Sequence, residues 1–360
     1  MSKIKSFDLS NVKLDNLVIH QVGNKTQEEP LHTSTTEVYL ENYSPLYKSI
    51  QNYFLKPFKQ GEFFHFDCPE GGSSFQDNEV LQCVSRIFDD PYNGLLANSK
   101  ELASLLYNAS THPRIKGGDF FVAVLRDFVV DGDVVDAVGL FKAEHKDTFL
   151  KIWDLDNKKA FDIINEEGVS IKKLDKGCLI FKCEKERGYK VMLNSIGNQS
   201  VEALYWKESF LQLRPRQDHF FHTQNYLNLC SDFVEEVYNE DHGVEKPAQI
   251  DLLNRSLKYF KEKEDFHVVD FENNVIEEPE AIEAFQEFKE DYSEKKEVPL
   301  FEEFRVSKEA VKKSQKLFKS MIRLDKKISI VVGGNEQNVE KGYDGERNMN
   351  YYTIYFNEEE

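Results

Sequence analysis

The stretch GGDFFVAVLRDFVVDGDVVDAVGLFKAEH, Gly117–His145, holds two long apolar runs separated by an Asp-Gly-Asp turn. Aromatic and β-branched residues at this density favour extended chain, and Asp-Gly pairs favour tight reversal. Four further short runs follow: DTFLKIWDL (147–155), KAFDIINEEG (159–168), KGCLIFKCEKE (176–186) and GYKVMLNSI (188–196). The gaps between them leave no room for crossover helices, so the spacing predicts an antiparallel meander from Gly117 to about Trp206. Upstream, NLVIHQVG (16–23) reads as a strand ended by glycine. Leu46, Ile50, Tyr53 and Phe54 recur at helical spacing within Asn42–Phe58, with Pro57 as the stop. Two more helices are expected, at Asp77–Asp90 and at Ser99–Ser110, the latter with Ser99 as N-cap.

Downstream of Pro215 the period changes to 3.6 residues. Asp218–Glu240 and Pro247–Glu264 read as helices, with Pro247 suited to a first turn. Glu277–Glu303 carries 11 acids against 3 bases, a net of −8. A basic stretch follows at Ser307–Lys327, and closing strands are expected from KISIVVGG to the end. The class expected is α+β: an antiparallel β-meander with flanking helices, a helical segment, and a C-terminal basic helix followed by terminal strands. The boundaries are set at 1–215, 216–305 and 306–360.

With 360 residues, 40% hydrophobic and 28 of them Phe, the chain has ample material for more than one core. Its net charge of −18 argues against coating nucleic acid with the whole surface, because phosphate would be repelled almost everywhere. The five cysteines form no CxxC pair and are expected as reduced, mostly buried thiols of a cytosolic protein. MSKIKSFDLSNVKLDN lacks the apolar segment of a signal peptide, and no window approaches the ~18 apolar residues of a membrane span. A soluble, cytoplasmic protein with no membrane partner is expected.

Ser307–Lys327 departs from this acidic background. It holds eight Lys or Arg against two acids, +6, so the rest of the chain sums to −24. On a helical projection Lys308, Lys312, Lys316, Lys319 and Arg323 fall within an arc of about 80°, while Val311, Phe318, Met321 and Ile322 face away. A cationic ridge of this kind suits phosphate; with Lys326, which rejoins the arc if the helix continues that far, six such contacts correspond to a log–log salt slope of about −5. Against it stands the ordinary reading of a solvated face, or one paired with the acidic segment before it. Two details favour the ridge: Lys308 and Lys312 crowd a helix start, where cations are disfavoured, and no Glu is interleaved in the arc. Ile171–Lys190, with seven bases to three acids, adds Lys182 as a weaker candidate. Arg214, beside Pro215 and Arg216, is another.

Other constellations carry less. His219 and His222 stand one helical turn apart but without HExxH, and Asp218 is better used as the helix cap. Gly333–Gly334 lack a GxxxxGK[ST] context and suit a strand turn. Asp131, Asp133 and Asp136 sit where turn and strand-start acids are ordinary. No catalytic residue, metal ligand or cofactor is assigned, and no enzyme is expected.

KSQKLFKSMIRLDKKISIVVGGNEQNVEKGYD (313–344) and NYYTIYFNEEE near the end, with LVIHQVG, GGDFFVAVLRDF and LRPRQDHFFHTQNYLNLCSDFV, resemble the bacterial nucleoid-associated family often called NdpA. The resemblance covers essentially the whole chain and rests on the order of these blocks. It implies a cytoplasmic bacterial protein found with the nucleoid that binds double-stranded DNA, with a bearing on DNA topology through type II topoisomerases. It carries over no catalytic motif and no contact residues. Two functions follow as expectations: sequence-tolerant DNA binding through the basic ridge, or an acidic adaptor that reaches the nucleoid through a DNA-associated protein such as a type II topoisomerase.

Overall fold

The computed structural model describes residues 7–69, 71–155, 160–194, 201–315, 318, 320–324, 328–332, 339–355 and 358. The fold is mixed α+β with antiparallel sheets, and the chain divides into two compact units, Met1–Arg216 and Gln217–Glu360.

The first unit is built on a sheet of nine strands among the described residues: β1 (Phe7–Asp8), β2 (Lys13–Val22), β3 (Leu31–His32), β4 (Phe64–Phe66), β5 (Gly118–Val130), β6 (Asp133–Ala143), β9 (Lys176–Phe181), β10 (Lys190–Leu193) and β11 (Leu213–Pro215). Their order is β11-β4-β10-β9-β6-β5-β2-β3, with β1 alongside β5. Strand β5 reads as continuously apolar because both of its faces are covered. Phe120, Val122 and Val124 point into one core with helices α2 (Glu79–Asp89) and α3 (Gly94–Ala109). Phe121, Ala123 and Leu125 point into the other, against α1 (Pro45–Leu55). There Phe54 stacks on Phe141 with ring centroids 4.1 Å apart. A short helix, α4 (Val201–Leu204), runs into a π-helical turn at Tyr205–Phe210 and closes the first core with Trp206 and Phe210.

The caps follow the expected chemistry with one exception. Ser44 accepts from Tyr47 N and Asn78 from Leu81 N, as N-cap side chains do. Ser99, expected to start a helix, lies inside α3, which begins a turn and more earlier at Gly94; its buried hydroxyl donates to the Leu96 carbonyl. Leu95, wholly buried, supplies the apolar contact that extends the helix towards its N-terminus.

The expected meander is interrupted. Strands β7 (Lys146–Leu155) and β8 (Ala160–Val169) pair only with each other among the described residues, and β6 pairs directly with β9 from Ala137↔Phe181 to Lys142↔Lys176. The hairpin therefore leaves the sheet at its β6–β9 seam. Alternating residues cannot report which neighbour a strand selects.

The second unit packs α5 (His219–Glu236), α6 (Lys246–Glu262), α7 (Val268–Phe271), α8 (Pro279–Lys296) and α9 (Lys308–Ser314) with the two-stranded pair β12 (Asp265–His267) and β13 (Glu303–Arg305). Its core is largely aromatic: Phe266 stacks on Phe260 within 3° of parallel, and Tyr226, Phe233, Phe271 and Phe285 surround them. Asp218 caps α5 through Phe221 N, and Pro247 lies in the first turn of α6. Two hairpins follow, β14 (Ser320–Leu324) with β15 (Ile328–Val332), and β16 (Val339–Asp344) with β17 (Met349–Ile354).

The basic stretch is thus not one long helix. Helix α9 has seven residues, and Ser320–Leu324 is extended, with Met321 opposite Val331 and Arg323 opposite Ser329. The β-branched run Ile328–Val332 offers a strand partner that a local helical projection cannot register. Gly333–Gly334 lie outside the described residues.

Candidate nucleic-acid interface

Strand β11 is the outer strand of the large sheet and pairs with β4 so that Arg214 stands opposite His65. Alternation sends Phe64, Phe66 and Leu213 into the core and leaves His65 and Arg214 on the other side. Pro215 ends the strand, as proline at a sheet edge does. The loop between β9 and β10 is stitched to the same place. Phe66 N donates to the Gly188 carbonyl at 3.0 Å, and Gly188 takes φ +76° where a Cβ would meet Phe66 O at 2.6 Å. Only glycine fits that approach, and it sets Arg187 beside β4.

Arg216 is buried and structural. Its Nε donates to the Phe64 carbonyl at 3.3 Å, one terminal nitrogen to the Tyr189 carbonyl at 2.9 Å, and the other to Glu184. Partial burial pushes the Glu184 carboxyl up, but the Arg216 hydrogen bond and charge outweigh it and hold it below the ordinary range. Arg187 and Arg214 are different: their side chains are 75% and 72% exposed, with partners Glu184 at 3.3 Å and Asp67 at 2.6 Å. Burial, then the Arg216 charge, keeps His65 below the usual histidine range; Asp67 opposes this, and Arg187 and Arg214 add to it. The charges of Arg216, Arg187 and Arg214 thus all disfavour a proton on His65. Beside them lies a cleft of about 780 Å³ lined in part by Arg214, Lys207 and Asp67. Lys182 is exposed, and its ammonium donates to the Phe88 carbonyl at 2.9 Å. Lys190 is buried against Asp131 and Phe63.

In the second unit α9 packs on α5 and α6 through Ala310, Val311 and Ser314. Ser307 caps it, accepting from Ala310 N at 3.2 Å. Lys308 is turned back onto α6: its ammonium donates to the carbonyls of Phe260 (3.3 Å), Lys261 (2.9 Å) and Lys263 (2.5 Å). A cation at a helix C-terminus satisfies orphan carbonyls and complements the dipole. Lys308 at the α9 start is explained by this second helix, and Lys312 lies in the last turn of the seven-residue α9, where a cation is favoured. Lys312 is exposed, and Arg323 lies on β14. Lys316 and Lys319 are outside the described residues.

A family model described as nucleoid-associated protein YejK matches residues 18–343, which run through both units. The chain belongs to the YejK family of nucleoid-associated proteins. Comparison with curated proteins and with solved structures gives no match. The likeness to bacterial nucleoid-associated proteins seen in the sequence is thereby established, and YejK-family membership associates the protein with the nucleoid.

In this YejK-family chain His222 is buried against Phe301, ring centroids 4.4 Å apart, and among the described residues no group of three or more His, Cys, Asp or Glu is placed to hold a metal. Asp131 pairs with Lys190 and Asp136 with Arg126. All five cysteines are free, with Cys68 exposed and Cys83, Cys178 and Cys230 buried. Among the described residues no helix is long and apolar enough to cross a membrane. Within the basic run, Lys182, Lys185, Arg187 and Lys190 could share a face only on adjacent strands, and the structure puts Lys185–Arg187 in a turn between β9 and β10; the signal for this was the Arg-Gly pair ahead of a strand.

Proposed function

We propose that this protein binds double-stranded DNA with little sequence preference, by phosphate contacts and without a catalytic step. The observation that carries the reading is the pair of exposed guanidiniums, Arg214 on the outer strand opposite His65 and Arg187 in the β9–β10 turn that is tied to Phe66. An exposed arginine–carboxylate pair is worth only ~0.2–1 kcal/mol, so exchanging Asp67 or Glu184 for a phosphate oxygen costs little. Arginine also meets phosphate with two parallel donors. Lys312, with Lys316, Lys319 and Arg323 of the +6 stretch, supplies a second set of contacts, and Lys182 a minor one. Lys308 serves as the anchor of α9 on α6. The acidic remainder limits binding to these places and prevents coating.

The rival reading, an adaptor that reaches the nucleoid through a basic surface of a protein such as a type II topoisomerase, has its own support. Glu280, Glu283, Glu287, Glu290 and Glu294 are exposed along α8 at three- and four-residue spacing, which makes one acidic stripe.

Fluorescence anisotropy of a labelled duplex, titrated at several salt concentrations, separates the two. Wild type is expected to bind with an affinity that falls steeply with salt. Lys312→Glu/Lys316→Glu/Lys319→Glu is expected to reduce the log–log slope by about 3, and Arg187→Ala/Arg214→Ala by about 2. Absence of binding at low salt would overturn direct recognition and favour the α8 stripe.

A further inference from the structure

The β7–β8 hairpin sorts its side chains onto two unlike faces. Directly paired residues share a face, so Phe149, Glu166, Lys151, Ile164, Trp153 and Asp162 lie on one side. That side is partly covered by its own side chains, with Phe149, Trp153 and Ile164 exposed by 48%, 44% and 37%. Phe149 lies over Gly168, Lys151 pairs with Glu166 at 2.9 Å, and the same ammonium sits 4.0 Å from the Trp153 ring centroid. The opposite side carries Leu150, Ile152, Phe161 and Ile163, exposed by 75%, 66%, 66% and 61%. Ile152 and Ile163 are directly opposed at its centre, with Asn165 beside Leu150 and Asp154 beside Phe161.

We infer that this second face is the contact between two copies of the chain. An isolated two-stranded ribbon is marginal in water and gains stability from a layer packed on it. The four side chains leave on the order of 500 Å² of apolar surface in solvent, within the upper range of the largest patch on a monomer. Two such faces in contact remove about 1,000 Å², the floor that a specific interface must clear and the range of reversible, weakly held contacts. The face is also self-complementary. A two-fold axis through its centre stacks the Ile152–Ile163 pair on its copy and places Asn165 and Asp154 towards the rim, the arrangement of an isologous contact. Nucleic acid is the poorer occupant, because residues 146–169 hold six acids against four lysines. A second copy is available wherever the chain is, so the face need never stand open.

Sedimentation equilibrium of the full chain tests this. Wild type is expected at twice the monomer mass of 42.0 kDa at micromolar loading, and Ile152→Glu/Ile163→Glu at the monomer mass. Wild type at the monomer mass throughout, or a double variant that remains dimeric, overturns the inference. So does a wild type that gains mass only with added duplex and loses that gain in the variant. Cross-linking removes any dependence on the variant's folding. In a Cys68→Ser background, which removes the exposed natural thiol, Ile163→Cys is expected to give a disulfide-linked dimer on mild oxidation. Ile164→Cys, on the opposite and less exposed face, is expected not to; equal yields from the two positions refute the contact.

Discussion

Lys308 offers the sharpest separation between folding and binding. Its ammonium donates to three carbonyls at the end of α6, so Lys308→Met keeps the stem and removes the charge and donors. Hydrogen bonds from a charged group contribute ~1.5–3 kcal/mol in buried settings, and a cation at a helix C-terminus ~0.3–1 kcal/mol at the surface. The side chain is exposed, which places the cost at about 1–1.5 kcal/mol once solvent screening is allowed for. In urea, with a slope of about 2 kcal/mol/M, that moves the unfolding midpoint seen by far-UV circular dichroism down by roughly 0.6 M. Amide exchange in the last turn of α6, Tyr259–Lys263, is expected to quicken with it. Lys312→Met, at an exposed site on the same helix, is expected to change stability by less than about 0.5 kcal/mol. The duplex salt slope is expected to behave oppositely, unchanged by Lys308→Met and reduced by Lys312→Met. A Lys308→Met protein with an unmoved midpoint, or with a reduced salt slope at full stability, refutes this division.

Two other outcomes are expected. Gly188→Ala combines a left-handed backbone with a 2.6 Å collision against Phe66 O, and is expected to cost about 3 kcal/mol; Gly243→Ala, left-handed in open space, is expected to cost about 1 kcal/mol. Thermal melts of the two variants give the comparison, and equal losses would show that the contact with β4 is unimportant. The second concerns His20, whose Nδ1 accepts from Ser34 N at 3.0 Å and which burial, then Lys100, hold down to about 4. A depressed folded value means the unfolded chain binds the proton first, so stability present above pH 6.5 is lost as pH falls towards about 4. Urea midpoints of wild type are expected to fall more steeply across that window than those of His20→Gln, and parallel profiles would refute the assignment.

How far the sequence revealed this molecule depended on whether the deciding interaction was local. Strands β5, β6, β9 and β10 were legible because an apolar pattern and its turns lie within a few residues of each other. The departure of β7–β8 from the sheet was not, since Phe149–Trp153 alternates as a sheet strand does. A fainter signal was present: apolar residues on both faces, with Glu166–Glu167 among them. The basic stretch failed in the same way at its far end. Phe318, Met321 and Ile322 fit a helical face, and the partner that makes Ser320–Leu324 a strand lies beyond the turn. Of the candidate contacts, Arg214 is exposed and paired with Asp67, whereas the Lys308 ammonium donates to carbonyls some 45 residues upstream. No projection of a single segment contains that information.

The hairpin that leaves the sheet also changes what the unfolded chain must do. Strands β6 and β9 meet at Lys142↔Lys176, and the segment between them exceeds thirty residues. Once Lys146–Leu155 has zipped onto Ala160–Val169, fewer than ten residues of free chain remain to be closed. By the logarithmic dependence of closure entropy on length, that shortening is worth about 1 kcal/mol. Hairpins form in microseconds, before long-range pairing. On the folded surface β7–β8 is an arm; along the route to that surface it is a splint that draws the two halves of the sheet to the same place.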